Sequence, residues 1–487
     1  MCTLNSIECD TFETNRTVQD ATDTAPTCVT NIKLFCAKCG SKEIEISLRS
    51  KCGYCKACFL SVLMHKFKAT LGKSKSMHPT DSVLIAHSGK ANSTALVQLI
   101  KDNANDLASK RLRFTCKILY IDDGMVKGFS LEERKRVRNA LVKEADNLKM
   151  AMYVTSLTTS TSDVHCEEIR TIDSPEAYTT RNDEFMEEVF RGMESETAKD
   201  ELLMQLRRKL LVSAACKLNC NKVFVADTSI DLAVKVLGDI STGRGSQVPQ
   251  NVSFSDTRSS GVALLRPLRD FTQDDIEGYL ECHNLTPIFA SRIYNRSYPV
   301  SIRTVARNFV RQLDSNLNGT VSTIYRTSEK LATKMEKLHN INSRGNTDVV
   351  NNIRVFNDTC ILCELALNCP NSQEQLSVVQ ARIFSQLVST NVNPLTNTAS
   401  SLQTNGQVQE INGSVKRHNR CDSDTYYSFN RESIRPDLIE AHLCYGCKLF
   451  ALNSKQMYNL LLCLLHEKIQ EKSQITRLQE DIAEFLL

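Results

Sequence analysis

The sequence predicts an α/β protein: a doubly wound parallel sheet with a zinc-ribbon-like module at each end. Short runs of apolar and β-branched residues alternate with amphipathic helical segments, which is typical of a parallel sheet covered by helices on both faces. Cys-x-x-Cys pairs occur near both ends of the 487-residue chain. No stretch reaches the roughly 18 consecutive apolar residues of a transmembrane helix, so we expect no membrane partner.

The composition indicates a globular protein of a reducing, cytoplasmic compartment. Hydrophobic residues make up 41% of the chain and charged residues 24%. The N-terminus lacks the basic region and apolar run of a secretory signal, so the 20 cysteines favour metal binding over disulfides. A net charge of +4 is too small to demonstrate nucleic-acid binding. Residues 1–32 are polar without periodicity and are predicted to be a disordered lead-in.

An N-terminal zinc module and a basic helix are predicted over residues 33–76. Two Cys-x-x-Cys knuckles supply the four thiolates of a closed, tetrahedral zinc site, although unmetallated cysteines and a redox pair are the alternatives. Cys52 is an alternative ligand. The predicted ligands are Cys36, Cys39, Cys55 and Cys58.

Residues 59–71 have the apolar spacing of an amphipathic helix. A basic segment begins within this helix and continues just beyond it. The segment fits either a solvated helix face or a contact with RNA phosphates. Its members are Lys66, Lys68, Lys73 and Lys75.

The central motif is a strand at residues 83–86, a Ser/Gly loop, and a helix. This order puts backbone N–H groups at a helix N-terminus, where they can hold a phosphate. The loop is not a Walker A loop, since G-x-x-x-x-G-K-[ST] does not fit it. A plain turn capped by Ser88 or Asn92 fits the loop equally well. The candidate phosphate-binding residues are Ser88, Gly89, Lys90, Asn92 and Ser93.

Further strand–helix units complete the α/β domain, which we predict over residues 77–300. A long polar insertion without regular structure is predicted over residues 158–198. The loops H-S-G-K-A-N-S, I-D-D-G and A-D-T-S-I-D should meet at the carboxyl edge of the sheet. The remaining strands are predicted at residues 114–121, 152–157, 222–226 and 262–265, and helices at 131–149, 200–218 and 227–237.

A basic helical segment is predicted over residues 301–350. Its first helix carries arginines every four residues, which form a ridge that can bind phosphates or remain a solvated stripe. An apolar side lies beside this ridge. The ridge consists of Arg303, Arg307 and Arg311, and the apolar side of Ile302, Val305, Phe309 and Leu313.

The C-terminal module is predicted over residues 351–487 and contains a second zinc site. An Asn/Ser/Thr-rich, disordered insertion at about 390–425 separates its two cysteine pairs. Closing so long a loop costs little more entropy than closing a short one. Cys369 and Cys421 are alternative ligands, and the tail favours a terminal helix. The predicted ligands are Cys360, Cys363, Cys444 and Cys447.

In this order the motifs resemble the cytoplasmic tRNA 2-thiolation protein 2 family, the second subunit of the cytosolic wobble-uridine thiolase. The resemblance rests on C-x-x-C followed by Y-C-x-x-C-F, on H-K-F-K-A-x-L-G-K from His65, on Y-I-D-D-G, on R-P-L-R-D from Arg266, and on L-C-Y-G-C. The Ser88 loop resembles the S-G-G-x-D-S motif of PP-loop ATP pyrophosphatases. The family implies 2-thiolation of the wobble uridine in tRNAs for lysine, glutamate and glutamine. It also implies sulfur from a thiocarboxylated ubiquitin-related modifier and a heterodimer with a catalytic homologous subunit.

The departures from the catalytic pattern indicate that this chain alone is not an enzyme. Lys90 and Asn92 replace a Gly and an Asp of the loop, so we expect ATP binding to be weak or absent. Leu203 stands where the resemblance implies a reactive cysteine, and Asp227 and Thr228 replace a His and an Asn. No cysteine occurs at residues 291–294, the expected position of the second thiol. The alternatives are a self-sufficient ATP-dependent tRNA sulfurtransferase and a zinc-stabilised RNA-binding protein without a role in thiolation.

Overall fold

The architecture is that of a computed structural model. Several sequence predictions fall on residues that it does not describe. These are the lead-in at 1–32, the insertion at about 390–425, residues 291–294, and the alternative ligands Cys52, Cys369 and Cys421. The described residues are 35–48, 53–105, 113–161, 169–174, 180–259, 261–289, 300–317, 319–331, 359–365, 367, 439, 442–451, 457–462 and 464.

The strands form a two-stranded hairpin and a 7-stranded sheet, as the pattern of apolar runs predicts. The hairpin pairs β1 (Ile46–Ser47) with β2 (Gly53–Tyr54). The sheet has the order β6-β5-β4-β3-β7-β9-β8. Its strands are β3 (Ser82–His87), β4 (Thr115–Asp122), β5 (Met152–Ser156), β6 (Arg170–Thr171), β7 (Lys222–Phe224), β8 (Ser255–Asp256) and β9 (Ala263–Leu265).

The central strands of the sheet are parallel, and the short edge strands β6 and β8 are antiparallel. From β3 the chain first adds strands on one side, through β4 and β5, and later adds β7 and β9 on the other. The crossing between these halves opens a crevice at the carboxyl end of β3, where ligands of doubly wound sheets bind. The predicted fold class is therefore confirmed.

Helices cover both faces of the sheet. Ile85 belongs to the core on one face, and its neighbour Leu84 belongs to the core on the other, as the alternation of side chains along a strand requires. The helices are α1 (Lys56–Ser74), α2 (Ala91–Asn105), α3 (Leu131–Leu148), α4 (Thr180–Arg191), α5 (Glu196–Lys217), α6 (Ser229–Ser241), α7 (Val248–Val252), α8 (Gln273–Cys282), α9 (Ile302–Asn316), α10 (Thr320–Glu329) and α11 (Tyr445–Ala451). In the part of the chain described, none of the helices is long and apolar enough to cross a membrane.

The prediction of an irregular insertion at 158–198 is wrong, because this segment contains the edge strand β6 and the helix α4. Met186, Val189 and Phe190 recur at helical spacing and are buried. They pack in the core that also contains the C-terminal cysteines. The many acidic residues between them conceal this periodicity in the sequence.

The orientation of α9 is also opposite to the sequence prediction. Val305 and Phe309 are 58% and 51% exposed, whereas Ala306 and Val310 are buried. Arg303 lies on this inward side and is paired with the buried carboxylates Glu201 and Asp239. These ion pairs turn the basic side of the helix towards α5 and α6, so the expected exposed ridge does not begin at Arg303.

Candidate metal centres and phosphate loop

The N-terminal cysteines form a compact group beside the β1–β2 hairpin. The four sulfur atoms of Cys36, Cys39, Cys55 and Cys58 lie within 4.8 Å of one another. Cys55 precedes the first turn of α1, and Gly40, with φ of +63°, donates its N–H to the Cys36 carbonyl at 2.8 Å. A tetrahedral ion with metal–sulfur bonds of about 2.3 Å holds its ligands about 3.8 Å apart. The group therefore fits one metal ion.

The N-terminal group is partly open to solvent. Cys36 and Cys55 are buried, but Cys39 is exposed. Hydrogen bonds from Ser41 lower the pKa of the Cys39 thiol to about 6, against the opposing effect of desolvation. A thiolate at neutral pH is the form that binds metal.

The C-terminal cysteines form a second group of the same size, but every member is buried. The Cys363 and Cys444 sulfur atoms are 3.7 Å apart. The Ile361 N–H donates to the His442 carbonyl at 3.0 Å and joins the two knuckles. Hydrogen bonds from the neighbouring thiols lower the pKa of Cys444 well below its usual range.

A buried arginine contacts the C-terminal group. Arg244 donates from Nη2 to the Cys447 sulfur at 3.7 Å and forms an ion pair with Glu201 through Nη1. A Cβ on Gly446 would clash with the Arg244 side chain, so the glycine permits this approach. A four-thiolate site keeps negative charge after it binds a divalent ion, and a buried cation offsets that charge. Neither the arginine nor its role was predicted from the sequence.

The Ser88 loop has the predicted position but is closed by its own hydrogen bonds. The Ser88 N–H donates to Ser93 Oγ at 3.2 Å, and Ser93 Oγ donates to the Lys90 carbonyl at 2.9 Å. The Phe289 N–H donates to the Gly89 carbonyl at 2.8 Å. Gly89 has φ of +71°, and a Cβ there would lie 2.9 Å from the Phe289 ring. Asn92 donates to Asp231 on α6 at 2.9 Å.

Basic side chains from separate elements converge on this loop. Lys127 Nζ lies 2.5 Å from Asp123, directly after β4, and Arg207 of α5 pairs with the same carboxylate. Arg307 of α9 lies 2.8 Å from Asp231. Lys127 and Arg207 were not predicted as site residues from the sequence. Arg207 is the first residue of an Arg-Arg-Lys run, and the sequence does not show which of the three side chains reaches the loop. Lys127 is an isolated lysine after I-D-D-G and belongs to no basic pattern.

The Lys90 side chain is exposed within this basic group. Although the side chain reaches solvent, the surrounding protein atoms withdraw water from its ammonium. This desolvation, followed by the neighbouring positive charges, lowers its pKa to about 8. Asp231 opposes the shift. The positive neighbours are Arg207, Lys127 and Arg307.

The other predicted RNA-binding residues divide into paired and exposed side chains. Lys66 lies 2.7 Å from Asp275, and its ammonium is 5.1 Å from the centre of the Phe271 ring. Arg303 lies 2.6 Å from Glu201 and 2.8 Å from Asp239. Lys68 lies on α1 and is partly buried. Lys73, Lys75 and Arg311 are exposed.

The residues that replace the reactive groups have structural contacts. Leu203 packs at the edge of the core and lies one helical turn before Arg207. Burial alone would raise the pKa of Asp227, but Lys235 and Arg266, at 2.9 and 3.1 Å, hold it well below its usual range. Asp227 is therefore an ion-paired carboxylate at the position where the resemblance implies a histidine.

Comparison with known proteins gives a consistent set of relatives. The family model described as "Cytoplasmic tRNA 2-thiolation protein 2" matches residues 301–449. Cytoplasmic tRNA 2-thiolation protein 2-A of Xenopus laevis is 27% identical over 507 residues, covering 93% of this chain and 94% of that protein. The Danio rerio protein 2 is 26% identical over 501 residues, covering 94% and 95% respectively. The U34-tRNA thiolase NcsA from Methanococcus maripaludis, solved with its 4Fe–4S cluster, is 18% identical with a TM-score of 0.47, covering 62% of this chain and 88% of that one.

Proposed function

The chain belongs to the cytoplasmic tRNA 2-thiolation protein 2 family, and we propose that it is the non-catalytic subunit of a tRNA thiolase. It acts in 2-thiolation of the wobble uridine in the cytoplasm, the compartment given in the names of its relatives. The observation that carries the non-catalytic role is the Ser88 loop, which is closed by its own hydrogen bonds. The resemblance supports this role, because it implies a cysteine where Leu203 stands and a histidine where Asp227 stands.

The proposed partner is a homologous subunit that keeps the loop and the thiols. The partner would adenylate the uridine and receive sulfur from a thiocarboxylated ubiquitin-related modifier, and this chain would position the tRNA. A sheet that is complete but lacks a thiolate nucleophile can bind and orient a substrate without reacting with it. A self-sufficient sulfurtransferase requires the missing thiol, so that alternative is disfavoured.

We propose Zn²⁺ as the ion of both cysteine groups. Four thiolates with compact spacing favour a closed, tetrahedral structural site. Cys36, Cys39, Cys55 and Cys58 would hold the first ion, and Cys360, Cys363, Cys444 and Cys447 the second. Elemental analysis of the purified chain should find about two zinc ions per molecule.

Nucleoside analysis of bulk tRNA tests the function. Cells that lack the protein should lose 2-thiouridine from the wobble position while keeping pseudouridine, which controls for tRNA quality. Unchanged thiolation in those cells would contradict the assignment. The isolated chain, incubated with ATP, tRNA and a sulfur donor, should release no pyrophosphate, and the chain with its partner should release it. Turnover by the isolated chain would instead support the self-sufficient enzyme.

A further inference from the structure

The basic group at the Ser88 loop is assembled from four elements that are distant in the sequence. Lys90 comes from the loop, Lys127 from the segment after β4, Arg207 from α5 and Arg307 from α9. The loop is joined to this group on two sides. Asn92 shares Asp231 with Arg307. Phe289, whose ring lies beneath the Lys127 ammonium, donates its backbone N–H to the Gly89 carbonyl. These contacts bring the four side chains to one mouth, which we call the cationic mouth.

The charges of the cationic mouth do not cancel. Asp123 pairs with Lys127 and Arg207, and Asp231 pairs with Arg307. The Lys90 ammonium has no carboxylate within ion-pair distance among the described residues. Four positive groups against two carboxylates leave two positive charges when Lys90 is protonated. The side chains of Lys127, Arg207 and Arg307 keep 23%, 34% and 41% of their surface exposed, so their charge is accessible to a ligand.

Two aromatic rings adjoin these charges. The Phe129 and Phe289 ring centres are 6.0 Å apart at an interplanar angle of 31°. The Lys127 ammonium lies 5.7 Å from the first ring centre and 5.0 Å from the second. Both rings are only partly buried. Positive charge beside accessible rings is the combination that binds single-stranded nucleic acid, because the backbone meets the cations while a base stacks on the rings.

The same loop is poorly suited to a nucleoside triphosphate. A phosphate loop binds through free backbone N–H groups, but the Ser88 N–H is bonded to Ser93 Oγ and the Phe289 ring covers Gly89. Asn92 supplies no carboxylate for Mg²⁺ and is bonded to Asp231. The side-chain cations therefore contact a ligand at the rim of the loop and not within it.

We infer that the cationic mouth binds a phosphodiester of single-stranded RNA, with an adjacent base against Phe129 and Phe289, at the position where a catalytic relative would bind ATP. This inference rests on the proposed function, since it identifies where the non-catalytic subunit holds its RNA. Lys90 is then a positioning residue for the RNA backbone. Its side chain replaces the glycine that would admit a triphosphate.

Fluorescence anisotropy with the full-length, zinc-loaded chain and a labelled short oligouridylate tests this inference. Lys90→Ala should weaken binding by about tenfold and reduce the slope of log K against log salt by about one, because one phosphate contact is lost. Phe289→Ala should weaken binding by tenfold or more through lost stacking, without changing the salt slope. Lys143→Ala, which removes an exposed lysine on α3, is the matched control and should bind like the wild type.

Lys90→Arg separates loss of charge from loss of folding. This variant keeps a cation and should restore most of the affinity, and zinc content should be equal in all variants. Equal affinity and equal salt slopes for wild type and Lys90→Ala would overturn the inference. Displacement of the oligouridylate by millimolar ATP·Mg²⁺ would also overturn it and identify a nucleotide site. Either result leaves the thiolation role intact, because that role depends on the separate analysis of tRNA from cells lacking the protein.

A pH titration gives a second readout of Lys90. Its pKa of about 8 means that the ammonium is charged at pH 7 and is neutralised as the pH rises through 8. Affinity for oligouridylate should therefore fall by up to about tenfold between pH 7 and pH 9. The charged groups facing Lys90 are Arg207, Lys127, Arg307 and Asp231. Burial lowers the pKa of Arg207 to about 10, still above this pH range. The Lys90→Arg variant should show no such fall. A fall of the same size in both proteins would exclude Lys90 as its origin.

Discussion

The two cysteine groups each bring four sulfur atoms within 4.8 Å of one another, but their surroundings differ. The N-terminal group lies beside a short hairpin and has one exposed cysteine, Cys39, whereas the C-terminal group is wholly buried. Around the C-terminal group, residues of α4 and α5, of 457–462 and Leu464 share one hydrophobic core. The difference indicates that an ion at the N-terminal group would organise a local module, while an ion at the C-terminal group would hold together segments from distant parts of the chain.

Among the described residues, ion pairs extend from the C-terminal group into the α/β domain. Arg244 contacts Cys447 and pairs with Glu201, and Glu201 also pairs with Arg303, which reaches Asp239 on α6. Loss of the metal at this group would therefore disturb α5, α6 and α9 together. These helices supply Arg207 and Arg307 to the cationic mouth and Asp231 beside it. The N-terminal group has no described connection of this kind to the mouth.

The largest effect is expected from removal of a buried ligand. Cys444→Ser should abolish metal binding at the C-terminal group and destabilise the protein by more than about 5 kcal/mol, because metal binding contributes directly to folding. Zinc content by elemental analysis and the midpoint of thermal unfolding measure this. Cys216→Ser, at an exposed cysteine outside both groups, is the control and should leave both unchanged. A soluble Cys444→Ser protein with a wild-type midpoint would break the comparison.

An intermediate effect is expected from loss of the arginine that contacts the C-terminal group. Arg244→Met keeps most of the side-chain volume but leaves buried Glu201 with Arg303 as its remaining partner. Breaking a buried ion pair from one side costs about 3–5 kcal/mol. Thermal unfolding of Arg244→Met and of the double variant Arg244→Met/Glu201→Gln gives the test. The double variant should recover part of the loss, and no recovery would show that the contact with Cys447 matters more than the pair with Glu201.

The smallest effect on the sheet is expected from the exposed ligand of the N-terminal group. Cys39→Ser should lose one zinc ion, lower the unfolding midpoint less than Cys444→Ser does, and preserve the far-ultraviolet circular dichroism of the α/β domain. In the wild type, a chelator should remove the N-terminal ion first, because Cys39 is accessible and the C-terminal ligands are not. Simultaneous release of both ions would remove the distinction between a local module and a central one.

Local patterns in the sequence were sufficient for the parallel strands of the sheet and for the grouping of the cysteines, but not for the short edge strands β6 and β8. Residues 83–86 and 114–121 were recognisable as buried strands because an apolar run of that length has few other uses in an α/β chain. The Cys-x-x-Cys spacing likewise specifies a knuckle, and four thiolates close one tetrahedral site. The helix α4 was missed since its apolar residues are separated by acidic ones.

The RNA-binding residues were harder to predict from the sequence. A lysine or arginine produces the same sequence pattern whether it lies on a solvated helix face, in an ion pair or in a binding site. Arg303 and Arg307 have identical spacing in the sequence, but the first is buried between two carboxylates and the second reaches the rim of the loop. The proposed domain boundaries and the RNA contacts of the exposed lysines stay predictions.

The amino-acid order was enough to predict the doubly wound sheet, the position of the loop after its first strand, and the two sets of four cysteines, because each is marked by short residue patterns that are recognisable locally. The tertiary structure decided which side of α9 is buried, that Arg244 meets Cys447, and that Lys90, Lys127, Arg207 and Arg307 share one mouth. Those outcomes depend on charges brought together from separate elements. The energy of burying a charge is determined by its partners in space, and local sequence does not contain them.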